Sequence, residues 1–256
     1  MDFFLIKLIL SFLVGGSYIA FTLWLSEKFG SKIGGILIGL PSTVLISLIF
    51  IAWTQNTESA IAASVIIPAI IGIDGLFAVT FIFLYKHGFF KAFCGALLVW
   101  ALLSFPIVLI HLNDLGYSLG IGLLFFLLSL YLLRGFPHKV APPKGKSDLI
   151  FRVVFAGGII STAVLIANIL GPLWGGLFAS FPAIFSSSLI LLSRKHGFEF
   201  TASVARSMVT GSLASIMFPF GFYILGPTFG LIGGLLLAYG ISLITSVVVY
   251  LLDRSK

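Results

Sequence analysis

Charge is scarce in this chain. Asp, Glu, Lys and Arg make up 9% of the 256 residues, against about 25% in a soluble domain. That leaves too little polar surface to keep so apolar a chain in water. Cysteine is nearly absent. Cys94 stands alone in an apolar run, which excludes a disulfide framework and a cysteine metal site. The four histidines, His87, His111, His138 and His196, are far apart, and no pair has zinc-ligand spacing. Neither a phosphate-cradling loop nor a nucleophile elbow occurs. No cofactor is expected. The first residues do not read as a secretory signal: only Asp2 precedes the first apolar run, Lys7 interrupts it, and no small-residue cleavage site is clear.

What the chain has is apolar length. Hydrophobic residues make up 59%. A spanning helix needs about 20 mostly apolar residues. Candidate runs lie at about 3–25, 33–53, 59–85, 90–111, 116–133, 150–170, 173–193, 201–225 and 229–252. The expected fold class is therefore all-α, a polytopic transmembrane bundle of about nine spans. Short polar or Gly-Pro breaks separate the runs. The longest, Arg134 to Asp148, holds Pro137, Pro142 and Pro143 and reads as a polar loop.

Basic residues orient such a chain. With nine spans, fourteen of the fifteen Lys and Arg fall on one side, and Lys7 alone on the other. The crowded side is expected to be cytoplasmic, with the N-terminus outside and the C-terminus inside. The net charge of +7 then reflects topology rather than nucleic-acid binding. The expected localisation is the cytoplasmic (inner) membrane.

One motif occurs twice. Gly34-Gly35-Ile36-Leu37-Ile38-Gly39-Leu40-Pro41 returns as Gly175-Gly176-Leu177-Phe178-Ala179-Ser180-Phe181-Pro182. Gly30 and Gly171 precede the copies, and Glu58 and Glu199 follow them. The offset is constant: 182 − 41 = 141, 171 − 30 = 141 and 199 − 58 = 141. An internal duplication follows. The expected division is residues 1–112 as a first four-helix repeat, 113–149 as a linking helix and loop, and 150–256 as a second repeat. The fifth helix reverses the direction of the second repeat, so the repeats are expected to be inverted. Inverted repeats recur among secondary transporters, with the site near mid-bilayer at the repeat interface.

Each half, with its glycine pair, its Leu40-Pro41 or Phe181-Pro182 and its following glutamate, resembles the GlpM-type family of small inner-membrane proteins. The resemblance covers about residues 30–85 and 171–225. It implies a membrane fold and no chemistry that can be carried over.

Within this frame few residues can carry chemistry. Pro41 and Pro182 fall about eight or nine residues into their runs, near mid-bilayer at 1.5 Å per residue. Each proline lacks an N–H and is expected to free the carbonyl four residues earlier, on Leu37 and Phe178. In lipid such a carbonyl must face protein or a wet cavity. Two broken helices around a solute site is one reading; two packing kinks is the other. Asp74, midway along the third run, is the acidic residue clearly inside a span. An ionisable group at that depth is a functional candidate by default, here as a proton carrier; a hydrogen-bonded structural aspartate is the alternative. Ser42, Thr43, Ser186 and Ser187 follow the prolines and line a polar path or bond their own helices. Glu58 and Glu199 suit helix N-termini.

The expected function is an ion-coupled permease for a small solute, with the proton as the coupling ion. The rival is a non-transporting accessory or assembly protein. An enzyme is not expected, because no cluster of polar catalytic residues is found. Expected partners are the lipid bilayer and a small solute or ion, with a homo-oligomer left open.

Overall fold

The structure, a computed structural model, describes residues 3–28, 40–136 and 149–254. Among them the chain is an all-α bundle without strands. The helices are α1 Phe3–Lys28, α2 Ser42–Thr54, α3 Thr57–Ser64, α4 Ile67–Leu84, α5 Phe89–Leu109, α6 Leu115–Leu132, α7 Leu149–Leu170, α8 Pro172–Ala179 and α9 Ala183–Arg254. A 3₁₀ turn, Tyr85–His87, ends α4. Six stretches among the described residues are long and apolar enough to cross a membrane. Large apolar side chains such as Phe90, Ile232, Leu236 and Ile244 stand exposed on the outside, a surface suited to lipid and not to water. These apolar helices are consistent with a membrane protein.

The bundle is built around α4, in which 14 of 18 residues are buried. A helix apolar on every face belongs in the interior. α5 packs on it through a stripe of Ala92, Ala96, Trp100 and Ser104, spaced four apart. α6 packs through Ser118, Gly122, Phe126 and Ser129. The small members of that second stripe let the two backbones nearly touch: a Cβ on Gly72 would lie 2.3 Å from the Gly122 carbonyl.

The third apolar run, expected as one helix over 59–85, is two helices. Pro68 has no N–H to continue the ladder, so α3 ends at Ser64 and α4 starts at Ile67. The orphan N–H of Ala69 in the first turn of α4 is taken up by Ser118 Oγ of α6, at 3.2 Å. Asn56 caps α3 through the Ser59 N–H, at 2.8 Å.

The helical run α9 is not one rod. Ser242 Oγ donates to the Ala214 carbonyl at 2.8 Å, whereas a straight helix would hold those residues about 42 Å apart (28 × 1.5). The chain turns back near Pro227 and Gly230, and Gly230 takes a φ of +69°, which a glycine adopts without strain. It also reverses nearer its start. Ser193 accepts a hydrogen bond from Tyr85, and Phe198 stacks on the same ring. Phe181 and Val209, on either side of that point, both return to the level of Asp74 and Gly75.

The two halves meet through α1 and α7, which pack antiparallel. Gly16 lies against Val153, and Gly157 lies against Phe12.

Candidate functional site

Asp74 lies inside α4 with 5% of its surface exposed. Its placement follows from α4 itself, whose apolar faces are covered by α5, α6 and α9. One carboxylate oxygen, Oδ1, accepts the indole N–H of Trp100 at 2.9 Å. Among the described residues no second hydrogen bond and no ion pair reaches this carboxylate. Trp100, 4% exposed, is brought opposite by the antiparallel run of α5 along α4, which also pairs Phe77 with Phe93 and Phe81 with Phe89.

Trp100 leads on to the second motif. The Phe181 ring meets it edge to face, with centroids 5.1 Å apart. Phe105 and Trp174 continue this aromatic group on one side and Phe155 on the other. Phe181 directly precedes Pro182. Asp74 and the second proline break are therefore joined through a single side chain.

The two breaks are built alike. At the first, the Ser42 N–H donates to the Leu40 carbonyl (2.8 Å) and the Leu45 N–H to the Pro41 carbonyl (2.9 Å). At the second, Ala183 donates to Phe181 (2.6 Å) and Ser186 to Pro182 (2.7 Å). Each bond of the first break has its counterpart in the second at the offset of the motif. Pro41, with φ −77° and ψ 55°, is the centre of an inverse γ-turn, and the same hydrogen bond closes over Pro182.

This corrects the expectation of kinked helices with freed carbonyls. The Phe178 carbonyl accepts the Phe181 N–H at 3.2 Å. α8 has already ended at Ala179, so the proline sits in a turn between helices and takes no bond from Phe178. Leu37, the corresponding residue of the first copy, lies outside the described residues, as do Gly34 and Gly35.

The remaining candidates divide. Pro182 and Ser186 are buried beside the Phe181 turn, and the Ser186 hydroxyl has no hydrogen-bond partner. Ser187 bonds its own helix at the Ile184 carbonyl, 3.3 Å away. Pro41, Ser42 and Thr43 are buried as well, but α2 packs mainly on α7, α1 and α3 and not on α4. The first break is thus not brought against Asp74. Ser47, one and a half turns into α2, is a second buried hydroxyl without a partner. Trp100 is the site residue that sequence reasoning missed. Its signal was position: a tryptophan in mid-run, far from an interface, needs an acceptor for its N–H. Among the described residues no group of His, Cys, Asp or Glu could hold a metal ion.

No curated protein and no solved structure matches the chain. A family described as "Protein of unknown function (DUF3147)" matches residues 8–112 and 149–254. The starts of the two stretches differ by the offset of the motif (149 − 8 = 141), which is compatible with a duplicated protein. The chain belongs to the DUF3147 family, matched over both of its halves.

Proposed function

We propose that this protein is an ion-coupled secondary transporter of a small solute, with Asp74 as the proton-carrying group. The observation that carries this reading is the junction of a buried carboxylate to a helix break: Asp74 bonds Trp100, and Trp100 packs on Phe181 beside Pro182. A buried ionisable group inside a span is costly and marks ion pathways. A helix break at that depth is the usual device for a midplane solute site. The unpartnered Ser186 hydroxyl supports a polar lining at the break, and the antiparallel packing of α1 on α7 supports inverted repeats that rock against each other. In this reading the protein lies in the cytoplasmic membrane with its N-terminus outside, and each half is a distant relative of the GlpM-type unit. It is a carrier and not an enzyme.

Alternating access can be tested without knowing the solute. In a Cys94→Ser background, Ser186→Cys is treated with a membrane-impermeant thiol reagent, in right-side-out and in inverted vesicles. Labelling from both sides is expected. A cysteine that is labelled from one side only or from neither, in a protein that remains folded, would sink the transport reading.

A further inference from the structure

We infer that Trp100 is a positioning residue that transmits the charge state of Asp74 to the Pro182 break. The inference rests on the reading of Asp74 as the proton-carrying group. It names the residue through which a proton on one repeat acts on the other.

Three contacts in series carry it. The Trp100 N–H donates to Asp74 Oδ1 at 2.9 Å. The Trp100 ring meets the Phe181 ring at 5.1 Å. The Phe181 carbonyl accepts the Ala183 N–H and so closes the turn over Pro182. The first contact depends on charge. A hydrogen bond to an ionised carboxylate is roughly twice as strong as one to a neutral acceptor. A proton arriving on Asp74 therefore loosens the hold on the indole. The indole is free to respond, because its N–H is a donor only and has no other partner to keep. Any shift of the ring is felt at Phe181, because rings packed edge to face cannot slide independently in a close-packed interior. Phe181 stands at the one place where the chain between α8 and α9 is not helical.

No other described group competes for the carboxylate. On α5, Lys91 and Cys94 are exposed; on α6, Tyr117 and Tyr131 are exposed, with Arg134 over the Tyr131 ring. On α3, Glu58 is exposed at the N-terminus. On α9, Glu199 is exposed, Tyr223 lies toward the opposite end of its leg, and Arg206 donates to the carbonyls of Arg134 and Phe136. α8 has no titratable side chain.

The test reads Trp100 directly. In a protein with Trp24, Trp53 and Trp174 replaced by Phe, the emission of Trp100 is followed against pH in liposomes. The emission should titrate, and Asp74→Asn should abolish that titration. Emission that is flat, or that titrates equally in the Asn variant, overturns the inference. A second measurement uses the break itself. The labelling rate of Ser186→Cys in the Cys94→Ser background should depend on pH after correction for reagent chemistry with a free thiol. Trp100→Phe keeps an aromatic ring but has no N–H, and should lose this dependence. If Trp100→Phe keeps the dependence while Asp74→Asn loses it, Trp100 is not the transmitter, although Asp74 remains the proton carrier. If Trp100 emission titrates with Asp74 and Trp100→Phe makes labelling independent of pH, yet labelling occurs from one side only, transport fails and the transmission stands.

Discussion

Gly16 and Gly157 are related by the offset of the motif (157 − 16 = 141), and each meets the other half of the chain at a matching place. Gly16 faces Val153, and Gly157 faces Phe12; Phe12 and Val153 are themselves related by the same offset (153 − 12 = 141). A contact that is repeated with its partners exchanged is what a two-fold axis produces. Because the pairs 12–157 and 16–153 run in opposite directions, the axis relating α1 to α7 is perpendicular to both helices. If these helices cross the bilayer, that axis lies in the membrane plane, the relation expected of inverted repeats.

The contact predicts unequal costs for a single methyl. A Cβ on Gly157 would meet the Phe12 carbonyl at 2.8 Å, while one on the adjacent Gly158 would meet nothing within 4 Å. Gly157→Ala should destabilise the protein by ~1–3 kcal/mol, since backbone must move to admit the methyl. Gly158→Ala should be neutral or stabilising by up to ~1 kcal/mol, through helix propensity. Thermal unfolding of both variants in one detergent checks the difference, and equal melting temperatures would contradict it.

A larger effect is expected where α6 touches α4. The Cβ of Gly72→Ala would sit 2.3 Å from the Gly122 carbonyl. No rotamer relieves a clash with backbone, so the helices must part. Loss of the folded fraction in size-exclusion chromatography is the expected outcome. A variant that folds with wild-type stability would show that α4 and α6 are farther apart than described.

Ser186 separates stability from function. Its hydroxyl is buried without a partner, an arrangement that costs about 1–3 kcal/mol in a dry interior. Ser186→Ala should therefore leave the melting temperature unchanged or raise it, and should slow solute movement once a substrate is in hand. A lowered melting temperature would mean that the hydroxyl has a structural partner.

Topology supplies the remaining prediction. The segment from Pro137 to Lys146, outside the described residues, carries three of the basic residues that orient the chain. A reporter or cysteine tag placed there should be reached only from the cytoplasmic side. Labelling of that tag in intact cells would invert the proposed orientation.

Much of this protein is local and could be read from its residues. The scarcity of charge and the length of the apolar runs determined an all-α bundle, consistent with a membrane protein, because satisfying every backbone group in lipid leaves a helix bundle as the solution for such runs. The constant offset between the motif copies pointed to a duplication, with which the family match over both halves is compatible. The burial of Asp74 was legible because a lone acid in an apolar stretch has no surface to go to. The turn near Gly226 and Pro227 was legible from glycine and proline alone.

What depends on contact was not legible. Pro41 and Pro182 marked the breaks, but the rule for a proline within a helix assumes that the helix continues, and here each chain segment closes a γ-turn instead. The split at Pro68 is held by Ser118, 49 residues away from the amide it caps. The breaks within the run 183–254 were legible, but the register between its legs, set by contacts such as Ser242 with Ala214, was not. Trp100 was decided by tertiary structure alone. It reaches Asp74 across 26 residues because α5 returns antiparallel along α4 in one register. A spacing pattern within one helix carries no information about the register between two, and that register is set by how their side chains interlock.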